Sequence, residues 1–160
     1  NVSTKVVNLV SDVREKPERD SEYILTSDNI EVGTDRGDNI YLRFDNAING
    51  NESLENFKKY LQPENTVVNI SLPELAVKGA DEIPTISESD QAVRDNMKIT
   101  FLSYEKGRLK GILTTKASEA DYWVRDNDDP KCITDDMMGI CVKTIPLNMD
   151  LTINFEVQVK

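Results

Sequence analysis

The sequence predicts an all-β, mainly antiparallel fold: a single-domain β-sandwich or barrel (residues 1–160) of about eight to ten strands, with one short helix. Two observations lead to this prediction. The C-terminal segment alternates apolar and polar side chains without a break. Most of the remaining chain divides into short apolar runs separated by turn-forming residues, with no regular exchange of strand and helix patterns.

The C-terminal segment, residues 150–160, has the clearest strand pattern. Its apolar side chains fall on every second position: Leu151, Ile153, Phe155, Val157 and Val159. Because successive side chains of a strand point to opposite faces, this period predicts one face on a core and one face in water.

The first part of the chain is interpreted as strands joined by turns. Residues 5–10 are rich in valine, which favours a strand. A charged loop and a short strand are expected within residues 14–25. The alternating residues 30–32 and 40–44 then predict a hairpin, because turn formers such as glycine, aspartate and asparagine lie between them.

One short helix is predicted near residues 53–61. Ser53 is a typical N-cap residue, and Pro63 lies just beyond the expected end. The apolar side chains between them have helical spacing: Leu54, Phe57 and Tyr60 or Leu61. Because a helix of this length is marginal alone, we expect it to pack across an end or edge of the sheet.

The middle of the chain predicts a strand at residues 66–72, ended by Pro73, and then a long surface excursion over residues 73–96 with one short strand. Connections of this length are functional or mobile in most compact domains. Residues 97–104 and 108–115 follow as a hairpin with a tight turn at Gly107. Gly111 inside the second strand indicates a bulge or the close approach of another backbone.

The last third contains a further strand near residues 122–124, which leads into an acidic loop. We expect the chain to return as residues 142–145 and to turn at residues 146–148 into the terminal strand.

Composition excludes several functions. The net charge of −10 argues against nucleic-acid binding, which requires clustered lysine and arginine. The chain has no histidine, so serine triads, histidine-dependent zinc sites and Cys–His dyads are excluded within it. No apolar run approaches the roughly 18–20 residues of a membrane helix, so no transmembrane segment is predicted.

Cys132 and Cys141 are close enough in sequence to bridge across a folded-back loop. A structural disulfide there indicates an oxidising compartment, and hence an extracytoplasmic protein: secreted, periplasmic or surface-anchored after removal of a targeting segment. Two free buried thiols or a redox pair are the alternatives, although redox pairs typically have Cys-x-x-Cys spacing.

The segment between the cysteines and before them is acidic, and its members are Glu119, Asp121, Asp126, Asp128, Asp129, Asp135 and Asp136. Calcium takes six to eight oxygen ligands, so a calcium site built from Asp126, Asp128 and Asp135 or Asp136 is one interpretation. The EF-hand pattern fails, because Lys131 and Met137 stand where it requires glycine and glutamate. A solvated acidic loop without a cofactor is the interpretation we favour.

Tyr122 and Trp123 lie within this segment and have two interpretations. Together with Tyr104 they could form a partner-binding patch beside the acidic residues, because tryptophan and tyrosine combine a large apolar area with a polar group. Alternatively, Trp123 anchors the core, with Tyr122 and Val124 facing outward.

These patterns favour a non-enzymatic, extracytoplasmic β-domain that binds a protein or small ligand through its end loops. The alternatives are an acidic inhibitor or immunity-type protein that blocks a basic partner, and a β-barrel that carries a small apolar ligand. A carboxylate-dependent hydrolase ranks last, because sugar-binding clefts are usually lined with aromatic residues and these make up 6% of the chain.

Overall fold

The computed structural model describes residues 1–11, 29–33, 37–125, 130, 132 and 139–159. The predicted loop and short strand within residues 14–25 lie outside the described residues.

Within this part of the chain there are eight strands and two short helices. The strands are β1 (Ser3–Ser11), β2 (Asn29–Gly33), β3 (Asn39–Arg43), β4 (Val67–Ser71), β5 (Thr85–Ser87), β6 (Lys98–Glu105), β7 (Arg108–Arg125) and β8 (Ile140–Gln158). The helices are α1 (Leu54–Tyr60) and α2 (Gln91–Asn96), and short 3₁₀ turns lie at Asn46–Ile48, Pro63–Asn65 and Pro73–Leu75.

The strands form one sheet, in the order β1-β8-β7-β5-β4-β3-β2, that curls into a half-barrel. Strand β6 also pairs with β7. It lies on the same edge of β7 as β5, which pairs nearer the C-terminal end of β7. The β1–β8 pair is parallel and the other pairs are antiparallel, which confirms the all-β, mainly antiparallel prediction. The two outermost strands meet where the backbone N–H of Gly33 donates to Ser11 Oγ at 2.9 Å.

The inner face of the sheet carries the core. The alternation of the C-terminal strand is confirmed, because all five predicted apolar side chains are buried: Leu151, Ile153, Phe155, Val157 and Val159. An aromatic cluster lies across this face, with ring centroids of neighbouring members 4.9–6.1 Å apart: Phe44, Phe57, Phe101, Tyr104 and Phe155. Such offset and edge-to-face contacts add to the free energy gained from burial.

Helix α1 covers part of this cluster with Phe57. Its N-terminus is capped by Ser53, whose Oγ accepts a hydrogen bond from the backbone N–H of Asn56 at 3.2 Å. The predicted helix is therefore confirmed, and its single buried side chain explains why it requires the sheet for stability.

The β6–β7 hairpin has a two-residue turn in which Lys106 and Gly107 both have positive φ, at 52° and 79°. These are the dihedrals that favour glycine in tight hairpins. Further along, a Cβ added at Gly111 would lie 2.8 Å from the Thr100 carbonyl oxygen and 2.3 Å from Phe155 Cζ. A bulge in β6 opposite Gly111 accompanies this close approach, so both features indicated by this glycine are present.

Two predictions about the second half are wrong. The break expected between residues 115 and 122 is absent, because residues 108–125 form one strand of 18 residues, β7. The turn expected at residues 146–148 is also absent, because residues 140–158 form one strand of 19 residues, β8. Pro146 does not end β8, because β1 pairs only with Met149 to Val157, and proline is tolerated where a strand lacks a partner on one edge. The excursion at residues 73–96 contains the expected short strand, β5, but also helix α2.

Candidate functional site

The candidate site lies on the outer half of the β7–β8 ribbon, which we call the hairpin arm: residues 119–125 paired with residues 140–146. Among the described residues, the arm has few strand neighbours. Strand β1 pairs with β8 only below it, and β5 touches it only where Thr85 opposes Asp121. The arm therefore has less of its surface covered than the rest of the ribbon.

A bulge separates the arm from the ribbon's inner half. The register of β7 against β8 shifts between Ala117 and Glu119. Before the bulge, odd-numbered residues of β7 such as Leu113 and Thr115 are buried; after it, Ala120 is buried instead. The extra residue therefore exchanges the two faces of the strand, as bulges do.

This exchange puts Trp123 on the outside. Its side chain is 43% exposed, and Val142, directly opposite on β8, is 45% exposed. Tyr122 and Val124 are partly buried on the other face. The interpretation of Trp123 as a core anchor is therefore wrong, because the bulge shifts the parity that would have turned its ring inward. Tyr104 packs against the aromatic cluster at the opposite end of β7, so its predicted place in a patch with Trp123 is wrong.

The predicted disulfide is present at the end of the arm. It joins Cys132 to Cys141, whose Cα atoms are 4.8 Å apart, and Cys141 opposes Val124 in the β7–β8 register. Cys141 is the second residue of β8, which begins at Ile140, so the bridge attaches Cys132 to the start of that strand. Cys141 is also the neighbour of Val142, which opposes Trp123.

A groove of about 260 Å³ lies beside the indole, and we call it the Trp123 groove. Its lining residues are Asp81, Glu82, Trp123, Val124, Arg125 and Ile140. Glu82 reaches the edge of β7, where its Oε2 accepts a hydrogen bond from the backbone N–H of Trp123 at 3.3 Å. One wall of the groove thus comes from the arm and the other from the segment before β5.

Asp90, the N-cap of α2 after β5, fastens the start of that helix to the bulge at the base of the arm. Its carboxylate caps α2 by accepting from the Ala92 N–H at 3.0 Å. It also accepts from the N–H and Oγ of Ser118, both at 2.6 Å, and from the N–H of Glu119 at 3.1 Å. Burial opposes ionisation, but these four hydrogen bonds together hold the pKa of Asp90 below its ordinary value.

Two other acidic side chains near the base of the arm, Asp121 and Glu119, interact with neighbouring groups of the fold. Asp121 accepts hydrogen bonds from Thr144 Oγ1 at 3.1 Å and from Ser89 Oγ at 3.3 Å. Burial, together with the negative charges of Asp121 and Asp90, raises the pKa of Glu119. The Asp121 hydrogen bonds tie the turn after β5 to β7 and β8, two residues before Trp123.

Five of the seven predicted acidic residues lie outside the described residues: Asp126, Asp128, Asp129, Asp135 and Asp136. The calcium site therefore stays a prediction. Within the described ranges, no group of three or more cysteine, aspartate or glutamate side chains could hold a metal ion.

Asp81 and Glu82 were missed by the sequence analysis. They lie in the excursion at residues 73–96, and no spacing rule connects them with Trp123, which is about forty positions away. The length of that excursion was the one available signal, because long connections often carry function.

Searches against protein-family models, curated proteins and solved structures returned no match for this chain. None of the helices in the described ranges is both long enough and apolar enough to span a bilayer.

Proposed function

We propose that this protein is a non-enzymatic, extracytoplasmic β-domain that binds a protein partner through its hairpin arm, with Trp123 at the centre of the contact. The observation that carries the proposal is the half-exposed indole beside a groove at the disulfide-bridged end of the ribbon.

An exposed tryptophan of this kind is better suited to binding than to stability. Two apolar residues near it are exposed as well. Val142 opposes it on β8, and Ile83 precedes β5, which pairs with β7, the strand of Trp123. Both are more than 40% exposed. Buried tryptophans and tyrosines dominate the binding energy of many interfaces, so covering this patch with a partner would release a large part of the energy of association.

The arm is also held in place before any partner arrives. Glu82, on one wall of the groove, is hydrogen-bonded to the backbone of Trp123, and Asp90 fastens the start of α2 to the bulge at the base of the arm. The disulfide attaches Cys132 to the start of β8. A rigid surface loses little conformational entropy on binding, which increases affinity. The inner face of the sheet is filled by the aromatic cluster, which favours a surface contact over the transport of an apolar ligand inside the fold.

The extracytoplasmic location is supported by the disulfide, because such bridges persist in oxidising compartments. The non-enzymatic assignment is supported by the absence of histidine from the chain and by the engagement of Asp90 and Asp121 in structural hydrogen bonds.

Site-specific photo-crosslinking in the source cells tests the proposal. A photoreactive aromatic residue replaces Trp123 in one variant and Leu102 in the control, since Leu102 is 54% exposed on β6, away from the arm. We expect one discrete protein adduct from position 123 and none from position 102. Adducts of equal intensity from both positions, or none from position 123, would contradict it.

A further inference from the structure

We infer that the Trp123 groove accepts a cationic side chain, lysine or arginine, presented by a protein partner. This inference rests on the proposed function and specifies the chemistry of the same site. Three observations carry it: the carboxylates on one wall, the exposed indole on the other, and the charge of the whole chain.

The carboxylates of Asp81 and Glu82 both line the groove and are exposed. Glu82 is positioned by its hydrogen bond to the Trp123 backbone, which uses one of its two oxygens. An ionised carboxylate offers about four lone-pair sites, so Glu82 keeps acceptor capacity for an ammonium or guanidinium donor.

The indole supplies a second attraction for the same group. A cation within about 6 Å of a tryptophan ring centroid is attracted by the negative face of the ring, and tryptophan is the best of the aromatic residues for this contact. The methylene stem of lysine or arginine would at the same time cover apolar surface around Trp123 and Ile140.

The size and charge of the groove agree with this occupant. At about 260 Å³ it is smaller than typical pockets for drug-sized ligands, which begin near 300 Å³, and it suits one long side chain. Arg125 also lines it, so the ionisable groups among the described lining residues sum to −1 (Asp81 −1, Glu82 −1, Arg125 +1). The net charge of −10 on the chain would accelerate the approach of a basic partner.

Intrinsic fluorescence can test this inference directly, because Trp123 is the only tryptophan in the chain. The probe is a capped tetralysine peptide, and the controls are the same peptide with acetylated lysines and a capped tetraglutamate peptide. We expect a saturable fluorescence change with tetralysine that weakens as salt increases. We expect no saturable change with either control peptide.

Charge-neutralising variants locate the binding. Glu82→Gln and Asp81→Asn should each weaken tetralysine binding roughly two- to fivefold, because each removes one exposed charge pair. Glutamine keeps an oxygen that can accept from the Trp123 N–H, so Glu82→Gln removes charge without removing that bond. Glu105→Gln is the matched control, since Glu105 lies next to the first residue of β7, about 50 Å along the strand from Trp123.

Equal responses to tetralysine and its acetylated form would overturn the inference, and so would equal weakening in Glu105→Gln and Glu82→Gln. These outcomes are separable from failure of the proposed function. A crosslinked partner at position 123, without charge-dependent tetralysine binding, would leave the arm as a binding surface and remove only its cationic specificity.

Discussion

The two halves of the β7–β8 ribbon have the same backbone structure and different surroundings. The inner half, residues 108–117 paired with residues 149–158, lies between β1 and β6 and has one face buried in the core. The hairpin arm, beyond the bulge, has few strand neighbours among the described residues and exposes Trp123. The comparison teaches that one long ribbon can stabilise a fold at one end and present a surface at the other.

The charges of the two halves differ in the same way. On the outer face of the inner half, Glu156 pairs with Arg108 and Lys110, and Lys116 pairs with Asp150. The hydrogen bond from Arg108 lowers the pKa of Glu156. The described lining of the groove instead contains two carboxylates and one guanidinium. The charges on the outer face of the inner half are thus paired with one another, whereas the groove keeps a net negative charge beside an exposed ring.

The largest effect is expected from Phe155→Ala in the inner half. Phe155 is 3% exposed, covers Gly111 and contacts the Phe101 ring edge-to-face. Its truncation should lower the free energy of unfolding by about 3–5 kcal/mol, as for other buried phenylalanines. Denaturant unfolding measures this, with Thr152→Ala on the opposite face of β8 as the control. A loss no larger than that of the control would contradict the assignment of the core.

Removal of the disulfide should have the next largest effect. The bridge spans nine positions, and closing a loop of about ten residues stabilises the native state by about 2.5–3 kcal/mol in the chain-entropy model. The double variant Cys132→Ser/Cys141→Ser, or reduction of the wild type, should lower the unfolding free energy by this amount. If reduction leaves the denaturation midpoint unchanged, the bridge does not constrain the arm as described.

Asp90→Asn should cost about 1–3 kcal/mol near neutral pH, because it weakens a buried, charge-assisted network at the bulge. The pKa of Asp90 is lowered in the folded state, so its stabilisation is complete above the unfolded pKa, near 3.9, and is lost as the pH falls through the folded pKa. The difference in unfolding free energy between wild type and variant should therefore shrink below about pH 4.

Asp95→Asn, on the exposed side of the same helix, is the control for this pH series. A gap between wild type and Asp90→Asn that widens on acidification would contradict an ionised, hydrogen-bonded Asp90.

The smallest effect on stability is expected from Trp123→Ala in the arm. Because 43% of Trp123 is exposed, its truncation should lower the unfolding free energy by about 1 kcal/mol, well below the loss for a fully buried aromatic residue. Thermal or denaturant unfolding checks this value. A loss as large as that of Phe155→Ala would mean that Trp123 supports the fold, and would remove the contrast between the two halves of the ribbon.

The inner half of the ribbon, helix α1 and the β6–β7 turn could be predicted from sequence because their signals are local. Alternation over residues 151–159 depends on adjacent positions, as does the cap of α1 at Ser53. The turn at Lys106 and Gly107 is likewise set by the residues within it. Local preference and final structure agree at these positions.

The arm could be predicted only in part. Its strands near residues 122–124 and 142–145 were expected from local pattern, but their extension and the direction of Trp123 depend on distant residues. Residues 115–121 contain few β-branched or aromatic side chains, so their own propensities did not predict a strand, and pairing with β8 supplies it. The outward direction of Trp123 depends on the register shift at Ala117 and Glu119. The position of Glu82 depends on the pairing of β5 with β7.

The most direct test of the central claim is a photo-crosslinking scan along the ribbon in the source cells. Photoreactive residues would be placed at Trp123 and Val142 in the arm, and at the exposed Thr114 in the inner half. The account predicts the same discrete adduct from both arm positions and none from position 114. The same adduct from position 114, or unrelated adducts from the two arm positions, would contradict a partner surface confined to the arm.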